Sequence, residues 1–358
     1  MTKLKEHKPS KIEALKAMTP ADRRRAIFDG IMNNAMFIII ALVIIYVAIK
    51  NPRFLSIPSL VNIISLTAAK LPIALGVGGC IILAGTDISA GRQVGLAACI
   101  SAGLQLTTNK LFPGLQILPI PVVLLCVLVA CAMVGFVNGF FMAKFKLHPF
   151  IVTLSTQLIV YGLVLLFMQL GTNGGQTLSG MSEGYRNFII KPLFTLKTSS
   201  GPVTVPRYVL YSTIITAIVW VIWNKTAFGK NMYAVGSNEE AANVSGVNVF
   251  LTIILVFVLA GAMYGVTGFI EGARIASCSA NTGLNYECDA IAACVIGGVS
   301  FGGGTGKISG IVIGVLLLQI IFAGLNFLSV SANMLYIIKG LIILIACAID
   351  MRKYLVKK

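Results

Sequence analysis

The stretch KTAFGKNMYAVGSNEEAANVSGV, Lys225–Val247, is a polar island between two apolar runs: YVLYSTIITAIVWVIW at Tyr208–Trp223 and FLTIILVFVLAGAMYGVTGFI at Phe250–Ile270. Each flanking run reads as a membrane-crossing helix. The island carries the start and stop signals of a short helix of its own. Asn238 can accept a free N–H of the first turn with its side-chain oxygen. Glu239 and Glu240 follow where the helix dipole favours negative charge. Ala241, Ala242 and Val244 continue the helix, and Gly246 can end it. Two readings are open. The island is a docking element that the membrane part presents to a partner in water, or it is an ordinary solvated loop with one helical turn.

Working outward, the composition bounds the class. The chain is 57% hydrophobic and 11% charged, with a mean hydropathy of +0.91. These values exclude an ordinary soluble domain. The apolar runs recur and are continuous rather than alternating, which predicts helices and not a barrel. The net charge of +16 gathers at the two chain ends and in short loops, as orientation signals do, so no nucleic-acid partner is expected. Of the eight cysteines most lie inside apolar runs, and no CxxC pair is present. They read as small buried hydrophobes, with Cys278 and Cys288, flanking a loop, as a pair that could join outside the cytoplasm.

In chain order, Met1–Gly30 is a basic tail with the run Arg23-Arg24-Arg25, placed in the cytoplasm, and Thr19–Asp22 could open a short surface helix. The first span is about Ala35–Ile49. Ser56–Ala84 contains Lys70 and Pro72 and predicts a broken or bent second span. Next comes Gly85-Thr86-Asp87-Ile88-Ser89-Ala90-Gly91-Arg92. An acid and a base in an apolar region raise a functional hypothesis. Asp87 and Arg92 neutralise each other, or Asp87 caps the helix that begins at Ser89.

Span three is about Gly91–Leu106, starting with Arg92 and Gln93. Span four is about Pro121–Ala143, with Gly135, Asn138 and Gly139 suited to close helix approach. Lys144, Lys146 and His148 mark a cytoplasmic loop. Span five, about Phe150–Leu170, opens with Thr153, Ser155, Thr156 and Gln157. Such uncharged groups line a path for a polar neutral solute, or bond helix to helix. Gly171–Pro206 is the longest loop and faces outward. After the island and span seven, Glu271–Asp289 forms another outward loop that contains Glu287 and Asp289.

Gly298, Gly302, Gly306, Gly310 and Gly314 fall every four residues, which a continuous helix would turn into one smooth ridge. Gly302-Gly303-Gly304 argues instead for a turn between spans eight and nine. Spans nine and ten are about Ile308–Phe327 and Leu335–Ala348, and Arg352, Lys353, Lys357 and Lys358 hold the C-terminus inside. The expectation is an all-α polytopic membrane protein of about ten spans, some short or broken, with both termini cytoplasmic. Eight is the alternative if short spans fail to cross. Residues 31–350 form one transmembrane domain between the tails 1–30 and 351–358.

The absences also discriminate. Gly306-Lys307 resembles part of a phosphate-binding loop, but Phe301 and Ile308 occupy positions that need Gly and Ser/Thr. No HExxH, GxSxG or paired-histidine cluster occurs, so no metal site and no catalytic centre is expected. Charges within the spans look too few for a proton relay or an ion channel. A carrier for an uncharged polar solute, driven by something else, fits what remains.

Four stretches carry a family resemblance: GTDISAGRQVGLAA at Gly85–Ala98, NGFFMAKFKLHPFIVTLSTQLIVYG at Asn138–Gly162, WNKTAFGKNMYAVGSNEEAANVSGVNV at Trp223–Val249, and YECDAIAACVIGGVSFGGGTG at Tyr286–Gly306. With them the chain resembles the permease subunits of bacterial ABC sugar importers of the ribose/galactose (second carbohydrate uptake) group. The form of Gly85–Ala98 points to the galactose/methyl-galactoside branch, since ribose relatives usually differ before the Asp and lack Arg-Gln. The long basic tail departs from the family.

The resemblance implies a homodimer in the bacterial inner membrane, an ABC ATPase on the cytoplasmic face, and a periplasmic or lipid-anchored sugar-binding protein outside. ATP and Mg would belong to the partner ATPase, with no cofactor on this chain. The coupling segment would comprise Gly236, Asn238, Glu239, Glu240, Ala241, Ala242, Ser245 and Gly246. Path or gating candidates are Asp87, Ser89, Arg92, Gln93, Asn138, Thr153, Thr156, Gln157, Glu287 and Asp289. Rival readings are the same role for ribose, xylose or another sugar, and an ion-coupled secondary transporter.

Overall fold

The computed structural model describes residues 19, 35–171, 173–198 and 201–355. The basic tail, the surface helix expected at its end and the last lysines lie outside the described residues. Among the described residues thirteen α-helices run in the order α1 (Ala35–Lys50), α2 (Ile57–Ile82), α3 (Ala90–Gln105), α4 (Ile120–Phe145), α5 (Pro149–Met168), α6 (Glu183–Ile190), α7 (Tyr208–Lys225), α8 (Ala227–Ser237), α9 (Glu239–Val244), α10 (Val249–Ile275), α11 (Tyr286–Ile296), α12 (Ile308–Phe327) and α13 (Ala332–Leu355). Six of them, α2, α4, α5, α7, α10 and α12, are long and apolar enough to cross a membrane. The chain is a helical membrane protein; α1, α3 and α11 are shorter, and α13 carries a shorter apolar segment, Asn333–Ala348.

The all-α expectation needs one amendment, because four short strands make two small sheets. Strands β2 (Pro192–Thr198) and β3 (Gly201–Pro206) form an antiparallel hairpin. Strand β1 (Leu178–Ser179) pairs with β4 (Ser277–Cys278). Both sheets lie in or against the long loop after α5, which also holds α6. Ser182 caps α6, its Oγ accepting from Tyr185 N at 3.3 Å. Tyr185 then buries its ring and donates to the carbonyl of Phe269 at 2.5 Å, pinning the loop to α10.

The core is built on α2 and α10, whose apolar windows are the most buried of the spans. Helix α10 packs against α4, α3 and α2. Its contact with α4 is backbone to backbone. A Cβ on Gly139 would stand 2.8 Å from Ile254 Cα, and Cβ atoms on Gly135 and Gly261 would strike carbonyls of Phe257 and Cys131. The glycines are there because small residues let helices approach closely enough to gain dispersion contacts that lipid cannot replace.

Of the break or bend expected in the second span, no break occurs: α2 runs as one helix through Pro72. Proline offers no N–H and leaves the carbonyl four residues back unbonded by the helix. Here that carbonyl, Ala68, accepts instead from Ser212 Oγ of α7 at 2.7 Å. A neighbouring span supplies the missing donor, which is how a membrane helix tolerates an internal proline.

The glycine series resolves as a turn. Helix α11 ends at Ile296, Gly298, Gly303 and Gly304 have φ of +83, +79 and +66, and α12 begins at Ile308. Gly304 N donates to Ile82 O at 2.8 Å, so this loop returns to the end of α2. The pairing of Cys278 with Cys288 that the sequence left possible is not formed. Cys278 Sγ lies 2.7 Å from Cys99 Sγ on α3 instead, because β4 lays Cys278 over that helix.

Candidate functional site

The polar island folds into two consecutive helices. Thr226 Oγ1 caps α8 by accepting from Gly229 N at 3.3 Å. Helix α8 buries Gly229, Met232, Val235 and Gly236 and leaves its polar side free. Tyr233 donates to Gly306 O at 3.0 Å. A Cβ on Gly236 would collide with Ile82 O and stand 2.9 Å from Gly304 N. The end of α2, the glycine turn and α8 therefore meet at a point that only glycine allows.

Asn238 then acts as the expected cap of α9, its Oδ1 accepting from Ala241 N at 2.8 Å. Glu239 and Glu240 occupy the first turn. Ala242 is buried, while Val244 is 90% exposed. Ser245 Oγ donates to Ala241 O at 2.7 Å, and Gly246, at φ +83, closes the helix. Glu239 pairs with Lys146 from the α4–α5 connection. A cleft of about 520 Å³ is lined by both residues together with Glu240, Asn243, Gly246 and Asn248. An exposed aliphatic side chain beside paired charges and an open cleft is chemistry suited to a protein partner.

The second group lies between the spans, where α2 hands over to α3. Asp87 is wholly buried, and its Oδ1 accepts from Ser89 N at 2.9 Å and Ser89 Oγ at 2.5 Å. Ser89 Oγ accepts in turn from Gln93 Nε2 at 2.9 Å and Asn138 Nδ2 at 3.1 Å. Thr156 Oγ1 donates to Asn138 Oδ1 at 2.6 Å, and Thr153 Oγ1 donates to Thr86 O at 3.3 Å. The sequence candidates Asp87, Ser89, Gln93, Asn138, Thr153 and Thr156 thus converge from the α2–α3 connection and from α3, α4 and α5. The buried Oε1 of Gln157 has no hydrogen-bond partner among the described residues. Among the described residues Asp87 makes no ion pair. Arg92 donates to Ala280 O at 3.0 Å and sits 4.2 Å from the Tyr161 ring centre. Asp87 is therefore held by Ser89 in the turn just ahead of α3, whose N-cap is Ser89, and not by neutralisation with Arg92.

The third group surrounds the candidate Asp289, whose cationic partners Lys70 and Lys339 were not among the sequence candidates. Asp289 on α11 is gripped by Lys339 of α13, Nζ 2.9 Å from Oδ1, and by Lys70 of α2 at 3.7 Å from Oδ2. Lys70 Nζ also lies 2.8 Å from the Tyr286 ring centre. Helix α10 runs past the predicted end of span seven, so Glu271 is buried rather than in a loop, and it pairs with Arg274 at 2.7 Å. Beside Lys70 and Asp289 is a cavity of about 10 Å³, room for about one water. Glu287, two residues before Asp289, faces the other way and packs on Gly91 of α3. The signal was present in the sequence. Lys70 and Lys339 interrupt apolar runs, and a charge in a span is costly unless it has partners.

The chain was compared with known proteins. Residues 59–347 match the family described as branched-chain amino acid transport system / permease component. The chain belongs to that family. Among its relatives are the galactose/methyl galactoside import permease proteins of Haemophilus influenzae, 42% identical over 92% of this chain and 97% of the relative, and of Salmonella typhimurium, 40% identical over 94% and 98%. The ribose import permease protein of Bacillus subtilis is further away, 34% identical over 93% of this chain and 97% of the relative. No solved structure matches.

Proposed function

We propose that the chain is the membrane-spanning permease subunit of an ATP-driven sugar importer of the inner membrane, carrying galactose, methyl-galactoside or a related monosaccharide inward. The observation that carries this reading is identity of 40–42% with named galactose/methyl galactoside permeases across more than nine-tenths of both chains. The ribose permeases stand lower, at 32–34%, so ribose, xylose or another sugar is the second substrate choice.

Ten crossings account for the elements: α1, α2, α3, α4, α5, α7, α10, α11 with the glycine turn, α12 and α13. This count puts both termini in the cytoplasm, with Lys144, Lys146, Lys225, Lys230 and Lys307 on the same side. Two copies would enclose one path. Helix α9 and its cleft would dock on an ABC ATPase, with Gly236, Asn238, Glu239, Glu240, Ala241, Ala242, Ser245 and Gly246 forming the coupling segment. ATP and Mg would act on that partner and no cofactor on this chain. A sugar-binding protein would dock outside. The network around Asp87, Ser89, Gln93, Asn138, Thr153 and Thr156, together with Arg92, Gln157, Glu287 and Asp289, supplies the path or gating groups. Coupling requires that ATP and sugar each favour one of two conformations.

An ion-coupled carrier is the rival, and the buried charges around Asp289 are the observation in its favour. Against it, Asp289 and Glu271 already hold cationic side-chain partners. One experiment separates the two readings. The permease is co-expressed with the ABC ATPase and binding protein encoded beside it and purified. ATP hydrolysis is then measured with galactose, methyl-galactoside, glucose, ribose and xylose. Stimulation by galactose or methyl-galactoside is expected. Absence of a co-purifying ATPase, with uptake that follows an ion gradient, would overturn the proposal.

A further inference from the structure

Cys99 on α3 and Cys278 on β4 are separated by 179 positions in sequence, yet their sulfurs are 2.7 Å apart and both residues are fully buried. Unbonded sulfurs normally rest farther apart, and a disulfide needs a further approach of well under an ångström. Three other buried cysteines point to different groups: Cys80 to the Tyr264 hydroxyl at 3.8 Å, Cys131 to Gln93 O at 3.6 Å and Cys294 to Ala74 O at 3.1 Å.

The surroundings fix this pair in place. Cys278 pairs in register with Leu178, and Ser277 with Ser179, so β1 holds β4 down. Immediately after Cys278 the loop 279–285 lies along α3. A Cβ on Gly95 would stand 2.5 Å from Thr282 O, and Gly283, at φ +80, takes the conformation that lets the loop sit there. Arg92 adds a hydrogen bond to Ala280 O at 3.0 Å. Cys99 and Cys278 are thus the point where the loop after α10 is fastened to α3.

We propose that Cys99 and Cys278 form a disulfide that fastens this loop to α3 on the outer side of the membrane. The outer placement rests on the topology proposed above. The bond forms as two thiols lose two protons and two electrons by exchange with a protein or small-molecule disulfide, which is reduced to its dithiol. The outer side is the compartment where such bonds persist. Once closed, the bond removes one degree of freedom from the mouth of the path, because α3 and the end of α10 can no longer separate there.

The test is mass spectrometry of the full-length protein, purified from membranes without reductant, denatured with an alkylating agent and digested. A peptide linking Cys99 to Cys278 is expected, lost on reduction and absent from Cys99→Ser and Cys278→Ser variants. Each variant should instead show its remaining cysteine alkylated. Alkylation of both residues in the wild type, persisting after membranes are treated with oxidised glutathione, would overturn the bond. Topology is tested separately with Asn281→Cys, an exposed position on the loop, using a membrane-impermeant maleimide on intact cells. Labelling supports the outer placement. A linked peptide without labelling would overturn the placement while leaving the bond standing.

Discussion

Ser212 and Pro72 should be energetically coupled although they lie on different spans. Ser212→Ala removes the only side-chain donor to Ala68 O described in the structure. An interhelical hydrogen bond within a membrane protein is worth about 0.6 kcal/mol on average and up to about 1.7 kcal/mol. A buried acceptor left unpaired costs about 1–3 kcal/mol. Ser212 is fully buried, so no water replaces it, and we expect a loss of about 1–1.5 kcal/mol, within those ranges.

In a Pro72→Ala background the new N–H at position 72 reaches the Ala68 carbonyl along the helix ladder, as any α-helical residue does. Ser212→Ala should then cost less than about 0.5 kcal/mol, leaving a coupling energy of about 1 kcal/mol between the two sites. The assay is reversible unfolding of the wild type, two single variants and the double variant in mixed detergent micelles. About 1 kcal/mol is roughly a fivefold change in the folding equilibrium. An equal cost of Ser212→Ala in both backgrounds would refute the reasoning, and so would a penalty that grows when Pro72 is absent.

The charge cluster gives a second cycle. Asp289→Ala strands Lys70 and Lys339 without their carboxylate and should cost about 3–5 kcal/mol; adding Lys70→Met should recover part of it, and a further loss in the double variant would contradict the pairing. Gly236→Val forces a side chain into Ile82 O and should cost about 1–3 kcal/mol by overpacking, read as a lower thermal midpoint of the purified permease. Gly246→Ala meets no neighbour within 4 Å and is strained only by its positive φ, so it should cost about 1–2 kcal/mol. On the proposed coupling role, Glu240→Arg should leave the chain inserted but lower sugar-stimulated ATP hydrolysis at least severalfold; undiminished stimulation in reconstituted complex would count against α9 as the docking element.

Much of this fold is legible in the sequence because lipid leaves the chain few options. The apolar runs that contain α2, α4, α5, α7, α10 and α12 could be placed as spans from hydropathy alone. The α9 cap was readable because Asn238, Glu239 and Glu240 act within one turn and need no tertiary context. The turn at Gly302-Gly303-Gly304 was readable for the same reason. Continuity of α2 through Pro72 was not, since the donor is Ser212, far away in sequence. The grip on Asp289 was also hidden, because Lys70, Lys339 and Tyr286 come from three different elements. The sequence leaves the partner of Cys278 open, whereas the pairing of β1 with β4 decides where its sulfur goes. Among the path candidates, convergence on Asn138 could not be derived from spacing, while the residue types that converge there could.

The backbone contact between α4 and α10 has a mechanical consequence. At about 1.5 Å per residue, the 27 residues of α10 make a rod about 40 Å long, stiffened along its length by its neighbour. Its N-terminal end begins just past Gly246, and α4 ends beside Lys146, which pairs with Glu239, so both members of the pair are tethered to the same short helix. At Gly135, Gly139 and Gly261 they meet so closely that a single added Cβ would strike the neighbouring backbone. A tilt of about 10° imposed at the N-terminal end would therefore be delivered nearly undamped, as a displacement of about 7 Å at the far end of such a rod. That far end carries Glu271 and leads directly into Cys278.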